Sequence, residues 1–311
     1  MRLLLLGCTG FVGRELVPHL LARGHHLVVV SRQLVPLVGL EHPELRRIQA
    51  DPALAASWQE PTLSVAVAEA DGVVNLAGEP IAEKRWSDEQ RRRLIDSRLG
   101  STSNLVEALR AHPRPNRVLV SGSAVGYYGS SEDARFSESS PAAPDLLGQL
   151  CRDWEAAADL APSDCRVVKL RIGIVLGPDG GALGKMLPVF RSGLGGPIGS
   201  GRQWMSWIHR TDLCVLIASA LETQDYQGVY NAVAPQPVRM GRFAAALGRV
   251  LKRPSLLPVP APVLQLMLGD GASVVLEGQQ VDSERLELQG FTFRYPDLDS
   301  ALAAATSPAA H

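Results

Sequence analysis

Excess charge is the first thing this sequence lacks. Its 311 residues carry a formal net charge of −1 at pH 7. No global field draws such a chain to nucleic acid or to an anionic membrane, and neither is an expected partner. Cysteine is sparse as well: Cys8, Cys151, Cys165 and Cys214 lie far apart with no Cys-x-x-Cys pair. That removes zinc knuckles and dithiol redox motifs and predicts reduced, packed thiols. Long hydrophobic runs are missing too. The N-terminal one spans only Leu3 to Leu6 and leads straight into a glycine-rich turn, unlike a signal peptide. The most apolar later stretch, Leu256 to Leu268, is interrupted by Pro258, Pro260 and Pro262, which disqualifies it as a membrane span. No solenoid-type repeat is present. The expected setting is soluble and cytoplasmic.

What the chain does have is ample material for a core, with hydrophobic residues at 46% and charged ones at 20%. At this length a main domain with a smaller second lobe is the natural expectation. The main domain opens on Leu3-Leu4-Leu5-Leu6-Gly7-Cys8-Thr9-Gly10-Phe11-Val12-Gly13, followed by the helical pattern Leu16, Val17, Leu20, Leu21. This reads as strand, tight turn, helix. A diphosphate can rest on a helix N-terminus only where the backbone approaches it without a Cβ in the way. Gly7 and Gly10 supply that approach, and Gly13 lets the helix pack closely on the strand.

A second buried strand, Leu27 to Val30, ends at Ser31-Arg32. An acid at this point would accept hydrogen bonds from an adenosine ribose, whereas an arginine pairs with a 2′-phosphate. No acid occurs between Glu15 and Glu41, so Arg32 favours NADP over NAD. Further buried strands are predicted near Ile48, within Ala70 to Pro80, over Arg117 to Val120 and over Val167 to Leu176. The small residues Leu76-Ala77-Gly78 and the hydroxyl-rich Ser121-Gly122-Ser123 follow two of these strands, where a parallel sheet faces its ligand crevice. Ser87 is the predicted cap of a long helix carrying Arg98, placed to reach a phosphate or the nicotinamide side. Arg91-Arg92-Arg93 on the same helix spread over three faces and read as solvated. A helix is expected from about Leu146 to Leu160. Beyond Asp179 the chain becomes glycine-rich. Asp212 is read as the cap of a helix over Leu213 to Leu221, Tyr226 to Ala232 as a return strand, and the last dozen residues as frayed.

Taken together, these segments resemble the extended short-chain dehydrogenase/reductases. More narrowly they resemble an uncharacterised epimerase-family branch with a C-terminal domain of unknown function. The carriers are the opening turn, Asn75-Leu76-Ala77-Gly78-Glu79-Pro80-Ile81, Ile95-Asp96-Ser97-Arg98, Cys151-Arg152-Asp153-Trp154-Glu155, Gly195-Gly196-Pro197-Ile198-Gly199-Ser200-Gly201 and Trp207-Ile208-His209. The resemblance implies an α/β fold, a Rossmann-type doubly wound parallel sheet with a smaller substrate-side lobe. The core would span 1–175 with 208–234 returning to it, and the lobe 176–207 and 235–311. It implies an NADP site with Ser31 and Arg32 at the adenosine end and Leu76 and Ala77 flanking the middle. Thr9, Phe11 and Val12 of the turn, Gly78, Arg98, Ser121 and Ile174 complete the expected cofactor contacts. The substrate is an unknown small molecule, a carbonyl or nucleotide-sugar-like compound, and a homodimer is common among relatives.

The departure from that pattern matters as much. Members with established chemistry use Asn, Ser and a Tyr-x-x-x-Lys pair, whose four-residue spacing lets the ammonium act on the phenol across one helix face. Here Ser123 falls on the Ser position and Arg98 on the Asn position, while Leu147 and Cys151 occupy those of Tyr and Lys. The four lysines, Lys84, Lys169, Lys185 and Lys252, have no Tyr four residues before them. Tyr127, Tyr128 and His209 are the titratable substitutes. Tyr127 is preferred because it lies four residues beyond Ser123, with a packed aromatic as the plain alternative. His209 reads as a structural anchor of residues 204–212. Two functions remain open: an NADPH-dependent reductase or epimerase, and a binding module that has lost catalysis.

Overall fold

In the computed structural model, which describes residues 1–34 and 37–307, the first strand, β1 (Arg2–Leu6), lies at the centre of the molecule. Its leucines are 0–1% exposed and divide between two layers. Leu3 and Leu5 pack with Leu16, Val17 and Leu20 of α1 (Gly13–Ala22), whereas Leu4 and Leu6 join Leu63 and Val67 of α2 (Pro61–Glu69). A strand covered by helices on both faces needs an unbroken apolar run, which explains why Leu3 to Leu6 does not alternate with polar residues. Each such side chain contributes roughly 1.5–3 kcal/mol by leaving water.

The elements between are β2 (His26–Ser31), β3 (Leu45–Gln49), β4 (Gly72–Asn75), α3 (Asp88–Ala111), β5 (Val118–Ala124), β6 (Arg135–Phe136), α4 (Leu146–Asp159) and β7 (Arg166–Ile172). Next come β8 (Ile174–Leu176), α5 (Gly181–Arg191), β9 (Trp204–Met205), β10 (Trp207–His209), α6 (Arg210–Glu222) and β11 (Gly228–Ala232). The chain continues through β12 (Val238–Arg239), α7 (Met240–Leu251), α8 (Ala261–Leu268), α9 (Ser273–Leu276), β13 (Gln280–Val281), α10 (Glu284–Leu288) and α11 (Leu298–Thr306).

Seven strands form one sheet in the order β11-β7-β5-β4-β1-β2-β3, all parallel. The connection reverses direction between β1 and β4, and ligands bind beyond the strand ends at such a point. The predicted return strand is β11, at the edge beside β7. Ser87 caps α3 as expected, its Oγ accepting from Gln90 N at 3.2 Å. A second apolar cluster lies outside the sheet and brings Leu183, Leu187 and Phe190 of α5 together with Phe243 and Leu247 of α7 and Leu298 and Leu302 of α11.

Two expectations are corrected. Asp212 does not cap α6: the helix begins at Arg210, and the cap is His209, whose Nδ1 accepts from Thr211 N at 3.2 Å. Asp212 is buried and instead accepts from Arg294 N at 2.7 Å and Tyr295 N at 3.0 Å, tying the C-terminal segment to α6. The alanine-rich end does not fray through Ser307, because Leu298, Ala301, Leu302 and Ala305 of α11 are buried. Small side chains let α11 approach α7 closely, and packing rather than propensity holds it. Residues 308–311 lie outside the described residues.

Candidate functional site

The turn after β1 separates its glycines by what each must avoid. Gly7 has φ +70°, and a Cβ there would lie 2.4 Å from Ala77 N. At Gly13 it would lie 1.9 Å from Cys8 O, inside the contact between helix and strand. Gly10 is different: a Cβ would meet no protein atom within 4 Å. The chain itself therefore requires Gly7 and Gly13, whereas bare backbone at Gly10 is useful only to something approaching from outside. Arg14 N is bonded to Gly10 O at 3.0 Å, and Val12 at the helix start provides no side-chain cap. Glu15 N is bonded to Val12 O, so the amides left without a partner among the described residues are those of Phe11, Val12 and Gly13, open to an anion in a way that fits a diphosphate.

Around this turn the predicted contacts take different parts. Thr9 and Val12 are half-buried in the turn, and Val12 packs on the core. The Phe11 ring lies against Gly180 and Gly181 and 4.7 Å from the Arg210 guanidinium. It ties the turn to the residues at the start of α5. Arg210 also donates to Glu15 Oε2 at 2.5 Å and to Phe11 O at 3.2 Å, fastening α1 to α6. Ser31 is buried and accepts from Gln33 N at 3.1 Å. Arg32 is exposed, and its guanidinium has no hydrogen-bond or ion-pair partner among the described residues.

Beyond β4 the backbone is set by Asn75. Its Oδ1 accepts from Ala77 N at 3.2 Å and its Nδ2 donates to Thr102 Oγ1 at 2.9 Å. Thr102 Oγ1 also accepts from Trp154 Nε1 at 2.9 Å, so β4, α3 and α4 meet at one hydroxyl. Ala77 is buried, Leu76 half-buried and Gly78 exposed. A Cβ on Gly78 would lie 3.0 Å from the Arg98 guanidinium carbon, which in turn sits 5.4 Å from the Trp154 ring centre. Arg98 therefore lies between the end of β4 and α4. Ser121 is buried in β5, and Ile174 is half-buried in β8 beside Trp207 of β10.

At the end of β5, Ser123 is buried and donates from Oγ to Glu155 Oε1 at 2.7 Å. Glu155 is held by Arg171, with Nε to Oε1 at 2.7 Å and Nη2 to Oε2 at 2.8 Å. The same guanidinium lies 3.4 Å from the Tyr127 ring centre and donates from Nη1 to the Tyr128 hydroxyl at 2.8 Å. Tyr128 donates to Asn231 Oδ1 at 2.6 Å, and burial pushes its phenol up to about 12. With its proton so committed, Tyr128 is not a proton donor to a ligand. The half-buried Tyr127 has no hydroxyl partner among the described residues, and a Cβ on neighbouring Gly126 would lie 3.6 Å from Leu147 Cβ.

The structure thus joins Ser123 to Tyr127 through Arg171, while His209 stands apart. Burial pushes its imidazole down to about 4, and the ring lies 4.1 Å from that of Tyr295, as a structural anchor requires. All four cysteines are buried and free. Burial raises the Cys151 thiol to about 11, which leaves it neutral. Glu155 and Arg171 are the residues the sequence reading missed. Arg171 carries a signal that could have found it: a charge near the end of a strand otherwise buried on both faces.

Bare backbone at a helix start and converging side chains beyond the ends of β1, β4 and β5 define a doubly wound dinucleotide-binding protein. Residues 3–232 match the NAD dependent epimerase/dehydratase family, and the chain belongs to it. Residues 259–305 match a domain of unknown function, DUF1731. The chain is 45% identical over 300 residues to the chloroplastic epimerase family protein SDR39U1 homolog of Arabidopsis thaliana, covering 96% of this chain and 84% of that one. It is 40% identical over 306 residues to the Homo sapiens epimerase family protein SDR39U1, covering 97% and 98%. A crystal structure of the human protein with NADPH superposes with a TM-score of 0.87 at 38% identity, covering 98% of this chain and 99% of that one. Among the described residues no helix is long and apolar enough to cross a membrane.

Proposed function

We propose that this protein is an NADP(H)-dependent oxidoreductase or epimerase acting on a small carbonyl or carbinol compound. The observation that carries this reading is the pairing of an open diphosphate turn at Gly10 with an unpartnered Arg32 at the end of β2. The NADPH in the crystal structure of the human relative supports it. When bound, the dinucleotide supplies a hydride donor or acceptor. Gly10 and the amides of Phe11 to Gly13 hold the diphosphate, and Arg32 holds the 2′-phosphate. The substrate enters between the core of residues 1–175 with 208–234 and the lobe of 176–207 and 235–311.

The proton chemistry falls to Ser123 and Tyr127. Because Ser123 spends its hydrogen on Glu155, its oxygen accepts a hydrogen bond from a substrate hydroxyl rather than donating one to a carbonyl. Tyr127 is left as the group that gives or takes the proton on the reacting oxygen. A second reading, a binding module without turnover, is favoured by Leu147 and Cys151 in place of Tyr and Lys. NADPH oxidation across a panel of carbonyl metabolites separates the two. Oxidation abolished by both Ser123→Ala and Tyr127→Phe supports the enzyme. No oxidation supports the module, and oxidation indifferent to both changes would show turnover that does not run through Ser123 and Tyr127.

A further inference from the structure

Arg98 is a cation without a counterion. Among the described residues the only hydrogen bond of its guanidinium goes from Nη1 to Leu94 O of its own helix at 3.1 Å, and no carboxylate lies within ion-pair distance. The carboxylate whose field reaches it, Glu79, is already paired with Lys84 Nζ at 2.9 Å. Burial lowers the Arg98 pKa, as expected where surrounding protein replaces water without supplying a negative charge. Holding a guanidinium in this way costs free energy, and a ligand can recover it.

Topology says which part of a dinucleotide this is. Arg32 follows β2 on one side of the switch between β1 and β4, so the adenosine end lies there. Gly78 follows β4 and Ser123 ends β5, both on the other side, and Arg98 touches the first and lies beside α4, which carries Cys151 and Trp154. Cys151 occupies the position of the family lysine, and the Arg98 charge is felt at its thiol. A neutral thiol has replaced one cation, and Arg98 brings another to the same place from a different helix.

We propose that Arg98 is the positive charge of the nicotinamide end and makes the site select the reduced, uncharged ring over the oxidised, cationic one. The protein is then loaded as a hydride donor. This rests on the NADP(H) reading above and adds the direction. In that direction the carbonyl carbon gains a hydride and the C=O π pair moves onto oxygen. The nicotinamide is oxidised and the carbonyl reduced by two electrons. Arg98 offsets the charge on the oxygen until the Tyr127 hydroxyl protonates it, and solvent returns the proton to Tyr127.

The test compares affinities of the full chain for NADPH, NADP⁺ and 2′,5′-ADP, which carries the adenosine phosphates without nicotinamide. Wild type is expected to prefer NADPH over NADP⁺ by about tenfold or more, the effect of one cation on another at short range in a partly desolvated site. Arg98→Lys is expected to keep that ratio, and Arg98→Met to bring it close to unity with 2′,5′-ADP binding unchanged. If Arg98→Met fails to fold, Arg98→Gln carries the same comparison. Equal affinities in wild type, or a ratio that survives neutral substitution, overturn the proposal. A wild-type protein that does not bind 2′,5′-ADP, or an Arg32→Ala variant that binds it normally, would instead sink the underlying cofactor site.

Discussion

Replacing Gly10 and Gly13 separately by alanine distinguishes the residue that shapes the turn from the residue that serves a ligand. At Gly13 the new methyl would lie 1.9 Å from Cys8 O and 2.1 Å from Cys8 C, both backbone atoms of the β1–α1 connection. No rotamer can relieve that contact. The helix must move off the strand that Leu16, Val17 and Leu20 pack against, and overpacking of this kind costs about 3 kcal/mol or more. At roughly 2–4 °C per kcal/mol for a domain of this size, Gly13→Ala is expected to lower Tm by about 6–12 °C.

Gly10→Ala meets nothing within 4 Å, and Gly10 is not among the residues with positive φ. Its effect on the free protein is therefore small and can be stabilising by about 0.4–1 kcal/mol, because alanine has less freedom to lose on folding. The loss falls on the bound state. Wild type at about one hundred times Kd of NADPH gains roughly 2.7 kcal/mol, seen as a rise in Tm. Gly10→Ala should keep the wild-type Tm without ligand and lose most of that rise. Thermal melts of both variants with and without NADPH give all the numbers. A Gly10→Ala protein stabilised by NADPH as well as wild type would refute the placement of the diphosphate. A Gly13→Ala protein as stable as wild type would refute the helix–strand contact.

Arg32→Ala is expected to weaken NADPH binding by about 1.5–3 kcal/mol and leave NADH almost untouched, as titration calorimetry can measure; equal losses would show that Arg32 does not read the 2′-phosphate. Breaking the Glu155–Arg171 pair, whose side chains are 7% and 3% exposed, by Glu155→Leu or Arg171→Leu alone should cost roughly 3–5 kcal/mol, whereas the double variant should cost less than the sum. Additive denaturant-unfolding losses would show the pair to be uncoupled. His209 titrates near 4 when folded against an ordinary value of 6.5, so the unfolded chain binds more protons between those values. Its contribution makes stability fall by about 3 kcal/mol as pH drops through that window, and His209→Asn should flatten the fall; an unchanged pH profile in the variant would contradict the buried, neutral imidazole.

The residues that the sequence makes legible are those whose role is local. Leu3 to Leu6 announces a doubly covered strand, and Gly7, Gly10 and Gly13 announce the turn, because backbone geometry and burial act within a dozen positions. Ser87 reads as a cap since its partner, Gln90 N, is three residues away. Asp212 misleads for the opposite reason. Its position before an apolar helix suits a cap, but its partners are the amides of Arg294 and Tyr295 in a segment that only folding brings near. The alanines of α11 similarly suggest a loose end until α7 supplies the surface they fit. Ser123 combines both cases. Strand position places it at the crevice, but the direction of its proton is decided by Glu155 on α4, which is in turn held by Arg171 on β7. A serine whose hydrogen is already taken differs chemically from one that is free to donate. On the proposed function the Ser123 oxygen is then left only to accept, so in carbonyl reduction it meets the substrate oxygen once Tyr127 has protonated it.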